Sequence, residues 1–491
     1  MPSAVRRGAA LAALVSVVAV AAPAAASGAQ ASVQARVAKC PKLPAGVKEG
    51  KDVRCYAVRQ PLRHGRRPDD QRKVTIGVTR AVALRHTSAP PLIFLSGGPG
   101  EPNAQNVLAA VKPKQPNALS SLRRTRDIYF IEQRGVGLSR PELSCEKEMK
   151  AATSIPGTDA EISALVIATY EACAGRLKRQ GIDLGGFTTA QIAQDLDSVR
   201  RALHIGRADV QATSYGTKVA LAAAQRNPKW IRRMLLVSTI DPRANFALDA
   251  PGNLVRAVNT LNATCNLTSC RTRYGNLREK LDAGIESLAQ APLTSPAAPG
   301  QVLTAGLAIT KVFSAFYTKQ GIDQLPSLIS AIARRDPKLL KAGDAGATAG
   351  LVTGQEYSVL CGEELSHLTA ARIARASASL PSYARTFAGT QTTLGLPAVS
   401  ICKAFDRKPQ VARPTGLSNV RMPVLLVSGS LDQVTPPSYA AAVRKRLPRA
   451  TSITLPAGHS AVNNVGPCGQ KLVVAFFDVK RLPQCPKQRR N

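Results

Sequence analysis

The sequence predicts an α/β fold, a mostly parallel sheet flanked by helices, with a mainly helical segment inserted late in the chain. Three observations carry that expectation. Short apolar runs of four or five residues recur between amphipathic helical stretches, as buried parallel strands do. Several of those runs stop at Gly, Ser or Asp, the residues expected where ligands sit at strand C-termini. The 491 residues are 44% hydrophobic and 20% charged, which suits a globular chain with a full core and excludes a disordered or polytopic membrane protein.

The elements follow in order. Residues 53–85 alternate in the manner of strands around a turn-rich stretch from Arg63 to Asp70. Pro91–Leu95 is a buried run that ends at Ser96-Gly97-Gly98-Pro99-Gly100, and Asp127–Ile131 is a second one ending at Glu132-Gln133-Arg134-Gly135. Ile192, Leu196, Val199 and Leu203 form one helical face over Thr189–Leu203, and Gly206 stands where a C-cap belongs. Val210–Thr213 reads as a strand, Ser214-Tyr215-Gly216 as a sharp turn, and Lys218–Gln225 as a helix closed by Asn227-Pro228. Met234–Ser238, Val424–Ser428 and Ser452–Leu455 complete the set of strands. Between about 243 and 400 the pattern turns helical, with a flexible break from Gly343 to Gly354.

The N-terminus resembles an export signal. Arg6 and Arg7 precede an apolar run from Gly8 to Ala22, then Pro23 and small residues that allow cleavage after Ala26 or Ala31. That apolar run is too short for a comfortable membrane span. Ten cysteines, an even number in an exported chain, point to disulfides. The most local pairing joins 40–55, 145–173, 265–270, 361–402 and 468–485. No C-x-x-C occurs and the five histidines lie far from the cysteines, so no metal site is expected.

Lys and Arg total 66 against 31 Asp and Glu, a formal charge of +35. The cations are scattered, mostly in pairs, with Arg444-Lys445-Arg446 the longest run. Only 4% of residues are aromatic. A base-stacking surface would interleave more rings with its cations, so no nucleic-acid partner is expected. Attraction to anionic envelope surfaces fits the charge better.

The chemistry is read from three residues. Ser214 lies between strand and helix, where a strained turn lifts a nucleophilic hydroxyl clear of the sheet. Of the five histidines, only His459, in Leu455-Pro456-Ala457-Gly458-His459, follows a strand near the C-terminus. Asp432 follows the preceding strand. The chain order Ser214, Asp432, His459 is that of α/β-hydrolases: His459 takes the serine proton, and Asp432 holds its tautomer. The Tyr215 backbone N–H is one expected oxyanion donor, and Gly98 in the Gly-Gly-Pro-Gly loop is the other.

These residues resemble a family. Ser96-Gly97-Gly98-Pro99-Gly100 is similar to the HGGPG loop of prolyl iminopeptidases, and Glu132 to Ser139 resembles their DQRGxGxS segment. Ser214-Tyr215-Gly216-Thr217 is similar to the elbow of the secreted tripeptidyl aminopeptidase-like branch, as is the segment from Gly429 to Cys468. The resemblance implies peptidase family S33, serine exopeptidases acting on peptides with a free N-terminus, without cofactor or metal. It divides the chain into a signal and leader (1–31), a first core part (32–242), a helical lid (243–400) and a TAP-like C-terminal core part (401–491). Lid carboxylates of prolyl iminopeptidases bind the substrate ammonium, which makes Glu363 and then Glu364, after Cys361, the expected amine-binding residues here. The rival readings are an esterase of small acyl esters using the same triad, and a catalytically silent basic binding protein.

Overall fold

The computed structural model describes residues 34–41, 43–65, 71–152, 157–340, 351–406 and 416–485. The expected signal segment and residues 343–350 of the expected break lie outside them.

Among the described residues nine strands form one sheet: β1 (Ala35–Ala38), β2 (Val53–Pro61), β3 (Lys73–Ala81), β4 (Leu92–Leu95), β5 (Ile128–Ile131), β6 (Ala208–Thr213), β7 (Ile231–Val237), β8 (Val424–Gly429) and β9 (Ala450–Leu455). Their order is β1-β2-β3-β5-β4-β6-β7-β8-β9. β1, β2, β3 and β5 pair antiparallel, and from β5 to β9 every pair is parallel. The inner parallel strands β4, β5, β7 and β8 are short and apolar because both their faces are covered, whereas the edge strand β9 is partly exposed. Ile93, Leu95, Met234, Leu236, Val424 and Leu426 pack into one core. Their neighbours Leu92, Phe94, Leu235, Val237, Leu425 and Val427 point the other way into a second. This period of two, with both faces apolar, is what turned strands into continuous hydrophobic runs.

Register lines up the ends of the strands. Leu95 pairs with Ala212, Thr213 with Val237, Val237 with Val427, and Gly429 with Leu455. The segments leaving β4, β6, β8 and β9 therefore emerge along one rim, and they are the segments that hold Gly98, Ser214, Asp432 and His459.

Between β7 and β8 the described residues are mainly helical, from Phe246–Asn266 to Leu396–Phe405, and among them one bridge joins Leu293 and Leu303. These helices belong to the same compact unit as the sheet, Val33–Asn491. Five disulfides join Cys40–Cys55, Cys145–Cys173, Cys265–Cys270, Cys361–Cys402 and Cys468–Cys485, the pairing that sequence order suggested. One local expectation fails. The helix Thr189–Ala202 ends at Leu203, and His204 takes the left-handed conformation (φ 52°) instead of Gly206. His204 bonds back to Arg201 O and Ile205 to Arg200 O, so the turn closes before the glycine is reached. Among the described residues no helix is long and apolar enough to cross a membrane.

Candidate active site

Ser214 joins β6 to the helix Tyr215–Arg226 with φ 53° and ψ −125°, a strained conformation for a residue with a side chain. The strain is held by packing. Ser214 N donates to Val237 O, and Thr217 Oγ1 donates to Ser214 O at 2.6 Å. A Cβ on Gly216 would lie 2.5 Å from Ser96 O and 2.7 Å from Leu95 O. Only glycine lets the new helix start so close to the neighbouring strand.

His459 Nδ1 lies 3.0 and 3.1 Å from the two oxygens of Asp432. That contact assigns the proton to Nδ1, which donates to the carboxylate and leaves the Nε2 lone pair as the base. Asp432 also accepts from Val434 N, Thr435 N and Thr435 Oγ1 at 3.0, 2.7 and 2.7 Å. Burial alone would raise its pKa, but the His459 charge and the Thr435 bonds hold the carboxyl below its ordinary value. Asp432 is fully buried, whereas Ser214 and His459 keep 9% and 4% of their surface exposed, the distribution expected if the acid orients and the other two react.

The helical insertion meets this rim directly. His459 N donates to Phe316 O, Gln433 Nε2 to Phe313 O, and Asn464 Nδ2 to Tyr317 O at 3.2 Å. A Cβ on Gly458 would lie 1.8 Å from Phe316 O, so the glycine before His459 is what admits the inserted chain. The Tyr317 ring stands edge-on to the imidazole, centroids 5.0 Å apart.

The loop after β4 is a tight turn with a cis Gly98-Pro99 bond, and Gly98 has φ +96°. Gly97 N donates to Glu101 Oε2 at 2.7 Å and Gly100 N to Gln133 Oε1 at 3.2 Å. Those bonds leave Gly98 as this loop's candidate oxyanion donor. Gln133 Nε2 donates to Gly97 O at 2.7 Å, and Glu132 accepts from Asn103 N and Nδ2. The Glu132-Gln133 pair thus braces the loop from behind. Arg134, in the same segment, is fully buried and forks onto both oxygens of Asp195.

The two lid acids require a correction. Glu363 accepts from Thr189 N at 2.7 Å and Thr189 Oγ1 at 2.6 Å, and Lys218 Nζ lies 3.0 Å away. Glu364 Oε1 is 2.5 Å from the same ammonium. All three side chains are buried, and Thr189 Oγ1 in turn meets the Tyr215 hydroxyl at 2.8 Å. Burial would lower the Lys218 pKa, yet the two carboxylates raise it above its ordinary value. A substrate ammonium would have to displace that buried lysine; as they stand, these acids fasten the insertion to the helix that follows Ser214.

One acid that sequence reasoning did not single out stands beside Ser214, and a second is buried within the insertion. Glu101 Oε2 and Ser214 Cβ lie 2.9 and 3.1 Å from the point where a Cβ on Gly97 would sit. Glu356, in the helix Thr353–Glu363, is buried, and burial pushes its pKa up to about 8. The one available signal was position: Glu101 directly follows Gly-Gly-Pro-Gly. Among the described residues no group of three or more His, Cys, Asp or Glu could hold a metal ion.

A strained serine at a strand-to-helix elbow and a bonded histidine–aspartate pair on the same rim define an α/β-hydrolase. The comparisons agree. Residues 90–288 match the α/β hydrolase fold model and residues 388–488 match the TAP-like protein model, so the chain is an α/β-hydrolase with a TAP-like C-terminal domain. It is 27% identical over 197 residues to the tripeptidyl aminopeptidase of Streptomyces lividans, covering 39% of this chain and 36% of that one. It is 26% identical over 162 residues to serine protease Hip1 of Mycobacterium tuberculosis, covering 31% and 30%. It is also 25% identical over 209 residues to carboxylesterase B of Mycobacterium tuberculosis, covering 41% and 39%. The matches thus span about a third of the length of these relatives.

Proposed function

We propose that the protein is an exported serine exopeptidase that releases residues or short peptides from the free N-terminus of peptides. The observation that carries this reading is the His459–Asp432 pair on the same rim as a strained Ser214. His459 Nε2 takes the Ser214 proton as Oγ attacks the scissile carbonyl. The oxyanion is met by the backbone N–H groups of Tyr215 and Gly98, and the protonated His459 then delivers the proton to the leaving amine. Water repeats the cycle on the acyl-enzyme.

The names of two relatives, tripeptidyl aminopeptidase and serine protease, support peptides over simple esters as substrates. The carboxylesterase relative keeps the esterase reading in play. Export is supported by the basic, apolar, small-residue N-terminus and by five disulfides. The +35 charge supports association with anionic envelope surfaces. Free and N-acetylated mono-, di- and tripeptidyl amides test the reading. The free forms should be cleaved and the acetylated forms should be poor; equal cleavage of both would put the esterase reading ahead.

A further inference from the structure

The end of the sheet opposite the catalytic rim is cationic. β4 to β9 run parallel, so all six begin at that end. Arg124 stands just before β5, Arg207 before β6, Arg421 before β8 and Arg449 before β9. Register keeps these starts level: Leu92 pairs with both Ile128 and Asp209, Met234 with Val424, and Val424 with Ala450. β3 runs the other way and ends beside them, with Ala81 against Ile128. The loop after β3 is held there by two backbone bonds, Leu84 N to Arg123 O at 3.0 Å and Arg85 N to Arg124 O at 3.1 Å. Arg85, Arg124, Arg207, Arg421 and Arg449 are all exposed. The carboxylates at this end turn to other cations: Asp52 to Arg123, Asp127 to Arg80, and Asp209 and Asp478 to Arg126.

Two large apolar side chains share this end with the arginines. Among the described residues five large hydrophobics are exposed, and two of them, Leu84 at 59% and Val479 at 61%, lie here. Val479 follows the last helix, Pro467–Phe477. Arg232 Nη2 fixes that helix end by donating to Phe477 O at 3.2 Å, and Arg126 by pairing with Asp478. Lys480 N bonds back to Ala475 O at 2.9 Å, and Val479 inside this turn takes the left-handed conformation with φ 60°. Glycine is the usual residue there, and a β-branched one is strained. The chain therefore bears strain to present an isopropyl group to solvent. Single exposed apolar residues are ordinary. Two of them set among exposed arginines suit a lipid interface, where apolar groups enter the acyl boundary and cations meet the headgroup phosphates. A soluble polyanion would engage the arginines and leave Leu84 and Val479 in water.

We propose that this end of the sheet docks on an anionic lipid bilayer, with Leu84 and Val479 entering the interface and the five arginines meeting headgroup phosphates. The proposal rests on the envelope-association reading, to which it adds a face and a partner chemistry, and it needs no catalytic step. The +35 charge of the whole chain attracts anionic surfaces without choosing an orientation. The two apolar anchors choose one. Ser214, Asp432 and His459 follow the far ends of β6, β8 and β9. A chain docked by this face therefore holds its catalytic rim away from the bilayer, open to substrates from the aqueous side. Salt should weaken the docking, because it screens the arginine–phosphate attraction.

Co-sedimentation with sucrose-loaded vesicles tests the face, using the exported, signal-cleaved form of wild type and of every variant. The vesicles are phosphatidylcholine alone or a phosphatidylcholine–phosphatidylglycerol mixture, and soluble polyphosphate is the rival polyanion. Wild type should partition onto the mixed vesicles and not onto phosphatidylcholine alone. Arg421→Gln/Arg449→Gln should weaken that partition about 25-fold, at about fivefold for each cation near an anionic surface. Val479→Gly removes an apolar anchor and relieves its backbone, so it should fold at least as well and bind about tenfold more weakly, the worth of one buried valine side chain. Leu84→Ser should behave alike. Arg271→Gln/Arg375→Gln removes the same charge from exposed positions of the insertion and should leave binding nearly unchanged. Circular dichroism is the fold control. Equal losses in the two arginine pairs overturn the docking face and leave general charge attraction. Polyphosphate binding as tight as vesicle binding, with Leu84→Ser and Val479→Gly unimpaired, overturns the bilayer in favour of a soluble polyanion. Wild type that binds neither vesicles nor polyphosphate removes the envelope-association reading together with the face.

Discussion

The helix Thr353–Glu363 carries acids at both ends, and they meet opposite fates. At its C-terminal end Glu363 and the adjoining Glu364 close on Lys218, and Thr189 adds two donors to Glu363. At its N-terminal end Glu356 is as deeply buried, but no cation faces it: among the described residues Oε2 lacks a hydrogen-bond partner, and burial alone raises its pKa. The first cluster binds the insertion to the core through one lysine shared by two carboxylates, although Glu364 Oε2, like Glu356 Oε2, has no hydrogen-bond partner among the described residues. The second is an acid that burial holds in its protonated form. Burial alone does not decide how an acid is held; the groups the fold brings against it do.

The largest expected effect sets the scale for both clusters. Ser214→Ala should lower kcat by about 10⁴ or more with the fold intact, and His459→Ala nearly as far, because triad members act as a unit. Steady-state kinetics on a peptidyl amide, with circular dichroism as the fold control, decides it. Activity within tenfold of wild type would remove Ser214 from the chemistry.

Lys218→Met strikes the paired cluster. It leaves two buried carboxylates facing each other, so stability should fall by about 3–5 kcal/mol, the usual cost of removing one member of a buried pair. A denaturant melt measures it, and a loss under about 1 kcal/mol, the level of an ordinary surface ion pair, would mean that the cluster does not fasten the insertion. The Cys361–Cys402 bridge closes a 41-residue loop around the same helix. Replacing both cysteines by alanine should cost about 4 kcal/mol in the chain-entropy model, a loss also read from the melt.

The smallest effect separates the unmatched acid from the paired ones by pH. Burial raises the folded-state pKa of Glu356 from 4.5 to about 8. As pH rises from about 5 to 8 the unfolded chain gives up this proton and the folded protein keeps it, so wild type loses stability across that window. Glu356→Gln has no such proton. Its stability relative to wild type should therefore climb with pH, by an amount on the order of 2 kcal/mol between about pH 5 and 8. Parallel curves of melting temperature against pH would show that Glu356 is not held neutral by burial.

Much of the fold was legible because its signals are local. An apolar run covered on both faces, such as Leu92–Leu95 or Val424–Gly429, announces itself without knowledge of its neighbours. The elbow at Ser214 was legible for the same reason, since the turn needs small residues and Gly216 within a few positions. The scarcity of histidine made His459 readable, and the even, spaced cysteines made the local pairing readable. Even local signals can mislead: Gly206 had the right residue type for a cap, but the backbone turned two residues earlier, at His204.

What the sequence by itself determined, then, was the run of strands and helices, each specified within a short span; for the cysteines it offered only the most local pairing, which the structure shows, and for the rim three candidate residues. Only the tertiary structure decided which carboxylates were spent. Lys218 and Glu364 are 146 positions apart, and Gln355 lies against Gly100 because Val352 seats the inserted helix there. An acid's identity is written at its own position, but its pairing depends on which charge the folded chain brings within a few ångströms, in an interior where an unmatched charge is too costly to ignore.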